Sequence, residues 1–337
     1  MPRAGHPADA SQSPPSVKKS TPELPAPDVA GILSTWIAAD PISLRIIEEA
    51  KKIAGSAPTV LIRGESGTGK DLLAALIHYL GPDRDQPLIK IDCATLPREL
   101  VESELFGYER GAFTGATQMK PGRLEMGGRG TIVLDEVAAL SMSIQAKLLR
   151  VIEEKRFQRL GGHHTLSVNA RIIALTNIEL ERAVARRSFR EDLYYRLNVI
   201  PLLVPPLRER RADIPPLAMH FVAQLADVHR RPQMRFSTAA LEALQQYSFP
   251  GNVRELRNIV ERAVVFASGP EIDIEALPLN QQAVGGGEAK KMSLEQVERA
   301  YIAEILDYTR GKKAKAAKIL GISRKTLLEK RKRYHLD

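Results

Sequence analysis

Cysteine is almost missing from this sequence: Cys93 is the only one among 337 residues. An intrachain disulfide and a cysteine-built zinc site are therefore excluded. Also missing is any uninterrupted apolar run long enough to span a bilayer, because Pro201, Pro205 and Pro206 break the greasiest stretch. The N-terminus has neither the basic start nor the apolar centre of a secretion signal. No membrane partner is expected, and a reducing, cytoplasmic setting fits these absences. Acidic residues are scarce at one end only. Residues 311–337 hold ten Lys and Arg against Glu329 and Asp337, a local charge of +8 in a chain whose total is +9. A surplus so confined points to a polyanion there, nucleic acid above all.

What is present reads as a folded, two- or three-domain chain, with 44% hydrophobic and 26% charged residues. Residues 1–28 are rich in Pro, Ser and Ala and are expected to be a disordered tail. Apolar spacing then predicts a helix over Ser43–Ala54. Short buried strands are expected at Thr59–Ile62, Leu88–Ile91, Thr131–Leu134 and Arg171–Leu175. Helices at Asp71–Leu80, Pro97–Phe106 and Ile144–Glu154 fall between them, and Phe157–Val168 reads as a hairpin turning at Gly161-Gly162. Such alternation argues for an α/β fold, a parallel sheet covered by helices on both faces. After Pro206 only helices are expected, at Ile214–His229, Thr238–Gln246 and Val253–Phe266. Gly285-Gly286-Gly287 marks a linker, and a last helical unit runs from Ser293 to Leu336.

The chemistry centres on Gly64-Glu65-Ser66-Gly67-Thr68-Gly69-Lys70, set between a strand and a helix. This is a phosphate-binding loop. Its glycines let backbone amides curl around phosphates at a helix N-terminus, and Lys70 supplies a point charge to the β and γ phosphates. The general motif ends in Ser or Thr, whereas Asp71 follows here. Thr131-Ile-Val-Leu-Asp135-Glu136 places two acids at the end of a buried strand, where α/β folds bind ligands. Asp135 is expected to hold Mg²⁺, directly or through water, and Glu136 to orient the attacking water. Asn177 ends the strand Arg171–Leu175 and is placed to bond the γ-phosphate or that water. The expected cofactors are ATP and Mg²⁺.

With these residues assembled, the chain resembles the AAA+ activators of sigma-54 RNA polymerase, the bacterial enhancer-binding proteins. The most specific likeness is Glu102-Ser-Glu-Leu-Phe-Gly-Tyr-Glu-Arg-Gly-Ala-Phe-Thr-Gly-Ala116. Its core (Gly111, Ala112, Phe113, Thr114, Gly115 and Ala116) resembles the loop that contacts sigma-54. Phe189-Arg190-Glu-Asp-Leu-Tyr-Tyr-Arg196-Leu-Asn resembles the segment whose arginines reach a neighbour's nucleotide, which implies fingers supplied in trans by Arg190 and Arg196. Phe249-Pro-Gly-Asn-Val-Arg254-Glu-Leu resembles the lid motif whose arginine senses nucleotide. Glu65-Ser66 and Gly127–Gly130 fit further nucleotide-binding segments, and an acid after the loop lysine, usually Glu, is a family trait. Two departures stand out. Asp92 occupies the place of an Asn thought to hold the catalytic glutamate, and Phe249 that of a Trp.

The resemblance implies an AAA+ P-loop ATPase with a helical lid, followed by a small all-α helix-turn-helix domain. The expected division is a 29–206 ATPase subdomain, a 207–270 lid, a 271–290 linker and a 291–337 Fis-like DNA-binding domain. No receiver or sensor domain is expected before residue 30. Lys313–Leu320, Gly321-Ile-Ser323 and Arg324–Arg333 give helix, turn and basic helix. Ser323, Arg324, Lys325 and Thr326 are expected to reach base edges, while Lys313, Lys330 and Arg333 grip phosphates of double-stranded DNA. Tyr301–Leu306 offers an apolar face for pairing on palindromic sites. The implied activity is ATP hydrolysis by a homo-oligomer, a hexamer, remodelling the closed complex of sigma-54 RNA polymerase. A DNA-binding regulator that uses ATP only to assemble, and a remodeller of another target, remain the alternatives.

Overall fold

A computed structural model describes residues 36–56, 58–95, 97–231, 233–279, 298–299, 301–303, 305–306, 309 and 312–334. The expected tail over 1–28 and the Gly285–Gly287 linker lie outside the described residues. The chain divides into two compact units, and each is treated by itself.

The larger unit is built on a five-stranded parallel sheet, β1 (Val60–Arg63), β2 (Leu88–Asp92), β5 (Thr131–Asp135), β8 (Arg171–Thr176) and β9 (Ile200–Leu203). Their spatial order is β2-β5-β8-β1-β9. Four strands match the expected ones to within a residue. The fifth, β9, was not expected, because Pro201 reads as a breaker. It is tolerated because β9 is an edge strand, where a missing N–H leaves no partner wanting on the open side.

Alternation along the strands divides the core in two. Val60, Ile62, Val133, Ile173 and Leu175 pack on one face with helices α1 (Pro41–Ala54) and α2 (Lys70–Tyr79). Leu61, Ile132, Leu134, Ile172 and Ala174 face the other way. That side is covered by α3 (Arg98–Phe106), the turn α4 (Arg123–Met126), α5 (Met142–Glu154), α6 (Leu180–Ala185) and α7 (Glu191–Leu197). Asp40 caps α1 by accepting from the Ile42 amide, and Ser141 caps α5 by accepting from that of Ile144.

Two hairpins leave this side. One joins β3 (Gly107–Tyr108) to β4 (Lys120–Pro121), the other β6 (Arg156–Gln158) to β7 (Thr165–Ser167). Arg159 ties them, donating from Nη1 to Glu109 at 2.7 Å, and it anchors both to α4 by donating from Nε and Nη2 to Glu125. Helices α8 (Ile214–Val228), α9 (Thr238–Gln246) and α10 (Asn252–Phe266) form the lid, and a short parallel pair, Arg235–Phe236 with Glu271–Ile272, ties residues 271–272 to it.

In the smaller unit, α11 (Lys313–Ile319) and α12 (Arg324–Tyr334) flank a turn at Gly321, whose φ of 67° is left-handed. Ile302, Ile305, Ala316, Ala317, Leu327 and Tyr334 make its core. This corrects one expectation. Ile302 and Ile305 are buried inside the unit, so most of the Tyr301–Leu306 face is used up by intrachain packing, with Tyr301 left half exposed.

Candidate functional site

The phosphate-binding loop leaves the C-terminal end of β1 and enters α2. Gly67 and Gly69 adopt φ values of 77° and 101°, which side chains resist. At Gly67 space adds a second constraint, since a Cβ would lie 2.5 Å from the Gly251 carbonyl of the lid. The Lys70 ammonium donates to the Gly64 and Glu65 carbonyls at 2.9 and 3.0 Å. It is thereby held across the mouth of the loop. Burial pulls its pKa below the ordinary lysine value, while Glu136, Asp135 and Asp71 work the other way. The Thr68 hydroxyl is buried and donates to the Glu65 carbonyl.

β5 delivers Asp135 and Glu136 to the same edge of the sheet. Glu136 stands in the left-handed region at φ 52°, a costly conformation for a residue with a Cβ. Its carboxylate accepts from the Asn177 amide at 3.3 Å. Burial raises its pKa, the Asn177 amide and Lys70 oppose the rise, and Asp135 and Asp92 add to it. Asp92 itself is the register partner of Asp135. Burial disfavours its charge, but the Thr95 and Ala94 amides hold its carboxyl below the usual range. These bonds are 3.0 and 2.9 Å long.

Ser66, Gly67, Gly69, Lys70, Asp71, Asp135 and Glu136 line a cavity of about 300 Å³ with Phe221, Val253, Arg254 and Arg257 of the lid. Arg254 donates to the Ser66 hydroxyl at 2.9 Å. The loop is bracketed by residues that the sequence did not single out. Arg208 makes a two-pronged pair with Glu65 at 2.6 and 2.9 Å. Asn252 donates to Glu65 and to the Ser66 carbonyl, and accepts from the Leu207 amide. Arg210 donates to the Thr68 carbonyl, and Asp213, fully buried, accepts from the Ala39 and Asp40 amides and the Ser43 hydroxyl. Lys90 pairs with both Asp71 and Asp135. None of these pairs is close in sequence, so no local pattern marks them.

Gly127–Gly130 do not join this site. Gly130 precedes the start of β5, at the sheet edge opposite Asp135, where the Thr131 amide bonds the Pro87 carbonyl. A parallel sheet binds ligands at its C-terminal edge; Gly127 and Gly130 serve close packing against Ile132 and Pro87, and Gly128 supplies a left-handed turn. Arg190 and Arg196 lie outside the cavity as well. Arg190 pairs with Asp192 at 2.7 Å and Arg196 with Glu153 at 2.8 Å. Phe249 is fully buried.

The Gly111–Ala116 segment forms the tip of the first hairpin. Gly111 and Gly115 have φ of 83° and 106°, and the Gly111 amide closes the turn on the Ala116 carbonyl at 2.8 Å. Phe113 is 45% exposed, with its ring against Tyr108 at 4.9 Å between centroids. An apolar side chain is thus displayed at a glycine-hinged tip. In the smaller unit, Ser323 caps α12 through the Thr326 amide, and the two hydroxyls meet at 2.8 Å. Lys313, Arg324, Lys325 and Arg333 are exposed. Lys330 instead pairs with Glu298, which also accepts from the Tyr334 hydroxyl.

Among the described residues, no group of three or more ligating side chains forms a metal cage. Asp135 and Asp71 nevertheless bring hard oxygen donors beside the phosphate loop. A cation there would take one or two carboxylates, phosphate oxygens and water, the coordination that Mg²⁺ favours. The donor set fits.

Comparison with known proteins agrees with this geometry. Residues 36–203 match the sigma-54 interaction domain, 208–293 the AAA+ ATPase lid domain, and 293–334 the bacterial regulatory protein, Fis family. The regulatory protein AtoC of Escherichia coli is 45% identical over 308 residues, covering 88% of this chain and 67% of AtoC. The nitrogen fixation protein VnfA of Azotobacter vinelandii is 44% identical, covering 87% of this chain and 58% of VnfA. A crystal structure of NtrX from Brucella abortus in complex with ATP superposes with a TM-score of 0.69 at 32% identity, covering 88% of this chain and 68% of NtrX. The chain therefore belongs to the sigma-54-dependent transcriptional activators, nucleotide-binding AAA+ ATPases that carry a Fis-type helix-turn-helix.

Proposed function

We propose that the chain hydrolyses ATP within a ring of its own copies, a hexamer. Turnover drives the Gly111–Ala116 loop against sigma-54, so that the closed polymerase complex opens its DNA. The α/β subdomain (29–206) and lid (207–270) hold the nucleotide, and residues 291–337 hold upstream double-stranded DNA. The setting is the cytoplasm.

Gly64, Glu65, Ser66, Gly67, Thr68 and Gly69 cradle the phosphates with backbone amides, and Lys70 leaves the loop carbonyls to meet the phosphate oxygens. Glu136, fixed by the Asn177 amide, holds the attacking water in line and takes its proton. Mg²⁺, carried by Asp135 and Glu136 partly through water, supplies charge neutralisation on the phosphates when bound. Asp71 stands beside it, and Arg254 reports nucleotide to the lid. Arg190 and Arg196 exchange their intrachain acids for the γ-phosphate of an adjoining copy, where a guanidinium stabilises charge that develops in transfer.

The observation that carries this reading is the pairing of a complete hydrolytic edge, Lys70 with Asp135 and Glu136, with a hairpin tip that exposes Phe113. The test is open-complex formation by sigma-54 RNA polymerase in a reconstituted assay. Hydrolysis of ATP without any open complex would overturn the proposal.

A further inference from the structure

Lys90 is a lysine for which the hydrolytic reading has no role. It occupies the centre of β2, an edge strand, in register with Val133. Alternation puts its side chain on the face that carries α2 and the phosphate loop, together with Leu88. The aliphatic stem runs along that face toward the C-terminal edge. There its Nζ lies 2.6 Å from Asp71 Oδ1 and 2.8 Å from Asp135 Oδ2. One ammonium joins the acid that follows the loop lysine to the acid that ends β5. No other cation pairs with either carboxylate among the described residues.

Three carboxylates (Asp71, Asp135 and Glu136) crowd a pocket that must also admit a polyphosphate. Lys70, Arg254 and Arg257 also line it, but among the described residues only Lys90 forms an ion pair with Asp71 and Asp135. The same ammonium stands where a divalent cation would reach Asp135. We propose that Lys90 is the built-in counter-cation of the nucleotide site. It neutralises Asp71 and Asp135 in the metal-free state, competes with the divalent metal for Asp135, and stays on Asp71 once the metal is bound.

The proposal rests on the reading of this cavity as the site of nucleotide and metal. It gives Asp71 a purpose that Ser or Thr would not serve, since a hydroxyl offers no charge to retain a displaced ammonium. The Lys90 side chain is 45% exposed and that of Asp135 15%. Asp71 is 52% exposed, so its pair with Lys90 is a screened surface pair, while the less exposed Asp135 is the carboxylate that gains most from a divalent charge.

The test is binding of a fluorescent methylanthraniloyl-ADP to the full chain, in EDTA and across a Mg²⁺ titration. Lys90→Met is expected to bind the metal-free nucleotide about tenfold more weakly and to half-saturate at about tenfold lower Mg²⁺, the effect of one charge at this distance in a partly solvated site. Lys90→Arg keeps the charge and is expected to stay near wild type in EDTA. Asp71→Asn leaves the ammonium to Asp135 alone and is expected to need more Mg²⁺, the opposite sense. Equal metal dependence in wild type and Lys90→Met, or weakening of both arms alike in a variant that melts normally, would overturn the proposal. If Lys90→Met does not fold, the Asp71→Asn shift decides, and its absence overturns the proposal too. Failure of the wild type to bind the probe at any Mg²⁺ concentration would instead sink the nucleotide reading beneath it.

Discussion

Asp92 and Asp135 are register partners at the ends of adjacent parallel strands, yet among the described residues only Asp135 forms an ion pair. The Asp92 carboxylate accepts from the Ala94 and Thr95 amides, and its charge adds to the raised pKa of Glu136. An ionised Asp has no proton to offer Glu136, so nothing at this position restrains the glutamate by a hydrogen bond.

Replacing the acid by its amide tests that arrangement. Asp92→Asn keeps an oxygen for the two backbone amides and gains an N–H₂ that can hold Glu136. Basal ATP turnover is expected to fall about three- to tenfold, a small part of the roughly 10²–10⁴-fold that a positioned base contributes, with little change in melting temperature. Phosphate release measured at steady state decides; unchanged turnover would show that Asp92 does not act on Glu136, and raised turnover that the new amide does not restrain it.

The bracket around the phosphate loop gives a stability prediction. Asn252 is fully buried, has φ 54°, and serves Glu65, Ser66 and Leu207 together. Asn252→Ala leaves the Leu207 amide unpaired and puts a plain Cβ in the left-handed region. The expected loss is about 2–4 kcal/mol. Asn252→Gly, free of the backbone term, should lose about 1–2 kcal/mol less. Urea unfolding of the two variants separates the contributions, and equal losses would refute the backbone part.

Cys93 makes a clean probe of the sheet edge because it is the only thiol. It is 3% exposed, and burial, followed by Asp92, Asp135 and Glu136, pushes its pKa up to about 12. At pH 8 the native thiol stays protonated, and iodoacetamide reacts with thiolate. Native protein is expected to alkylate about a thousandfold more slowly than urea-unfolded protein, for which an ordinary pKa applies. Comparable rates would mean that the strand end opens readily.

Much of the architecture was legible in the sequence because strands and helices here are local patterns. Thr131-Ile-Val-Leu-Asp135-Glu136 announces both a buried strand and the acids at its end. The bracket was not legible, since Arg208 meets Glu65 across 143 residues and Asn252 meets it across 187. β9 was hidden for another reason: Pro201 is compatible with an edge strand only, and nothing in the sequence says which strand is the edge. The Tyr301–Leu306 stripe was misassigned because an apolar helix face looks the same whether its own unit or a second copy covers it.

The hairpin tip separates stability from function. Phe113 is half exposed and touches Tyr108 edge-on, a contact worth about 0.5–1.5 kcal/mol at most. Phe113→Ala is therefore expected to melt within a few degrees of wild type and to hydrolyse ATP normally, while supporting no sigma-54-dependent transcription. If transcription survives Phe113→Ala but not Lys70→Ala, the tip is not the contact.

The basic helix invites a split between residues that grip DNA and one that holds the helix in place. Lys325 is exposed and no ion pair engages it among the described residues, so Lys325→Ala should weaken DNA binding and lower the slope of log K against log salt by about 1. Lys330 faces inward to Glu298 at 2.5 Å, where Tyr334 also donates at 2.7 Å. Lys330, then Tyr334, keeps the Glu298 carboxyl below its ordinary pKa. A depressed folded pKa means that the pair stabilises the unit above the normal glutamate pKa and is lost as pH falls through the lowered one. Lys330→Ala should thus reduce thermal stability of this unit at pH 7, and the difference from wild type should vanish in acid, with the salt slope unchanged. A full unit drop in slope for Lys330→Ala would place it on the phosphates and dissolve the distinction.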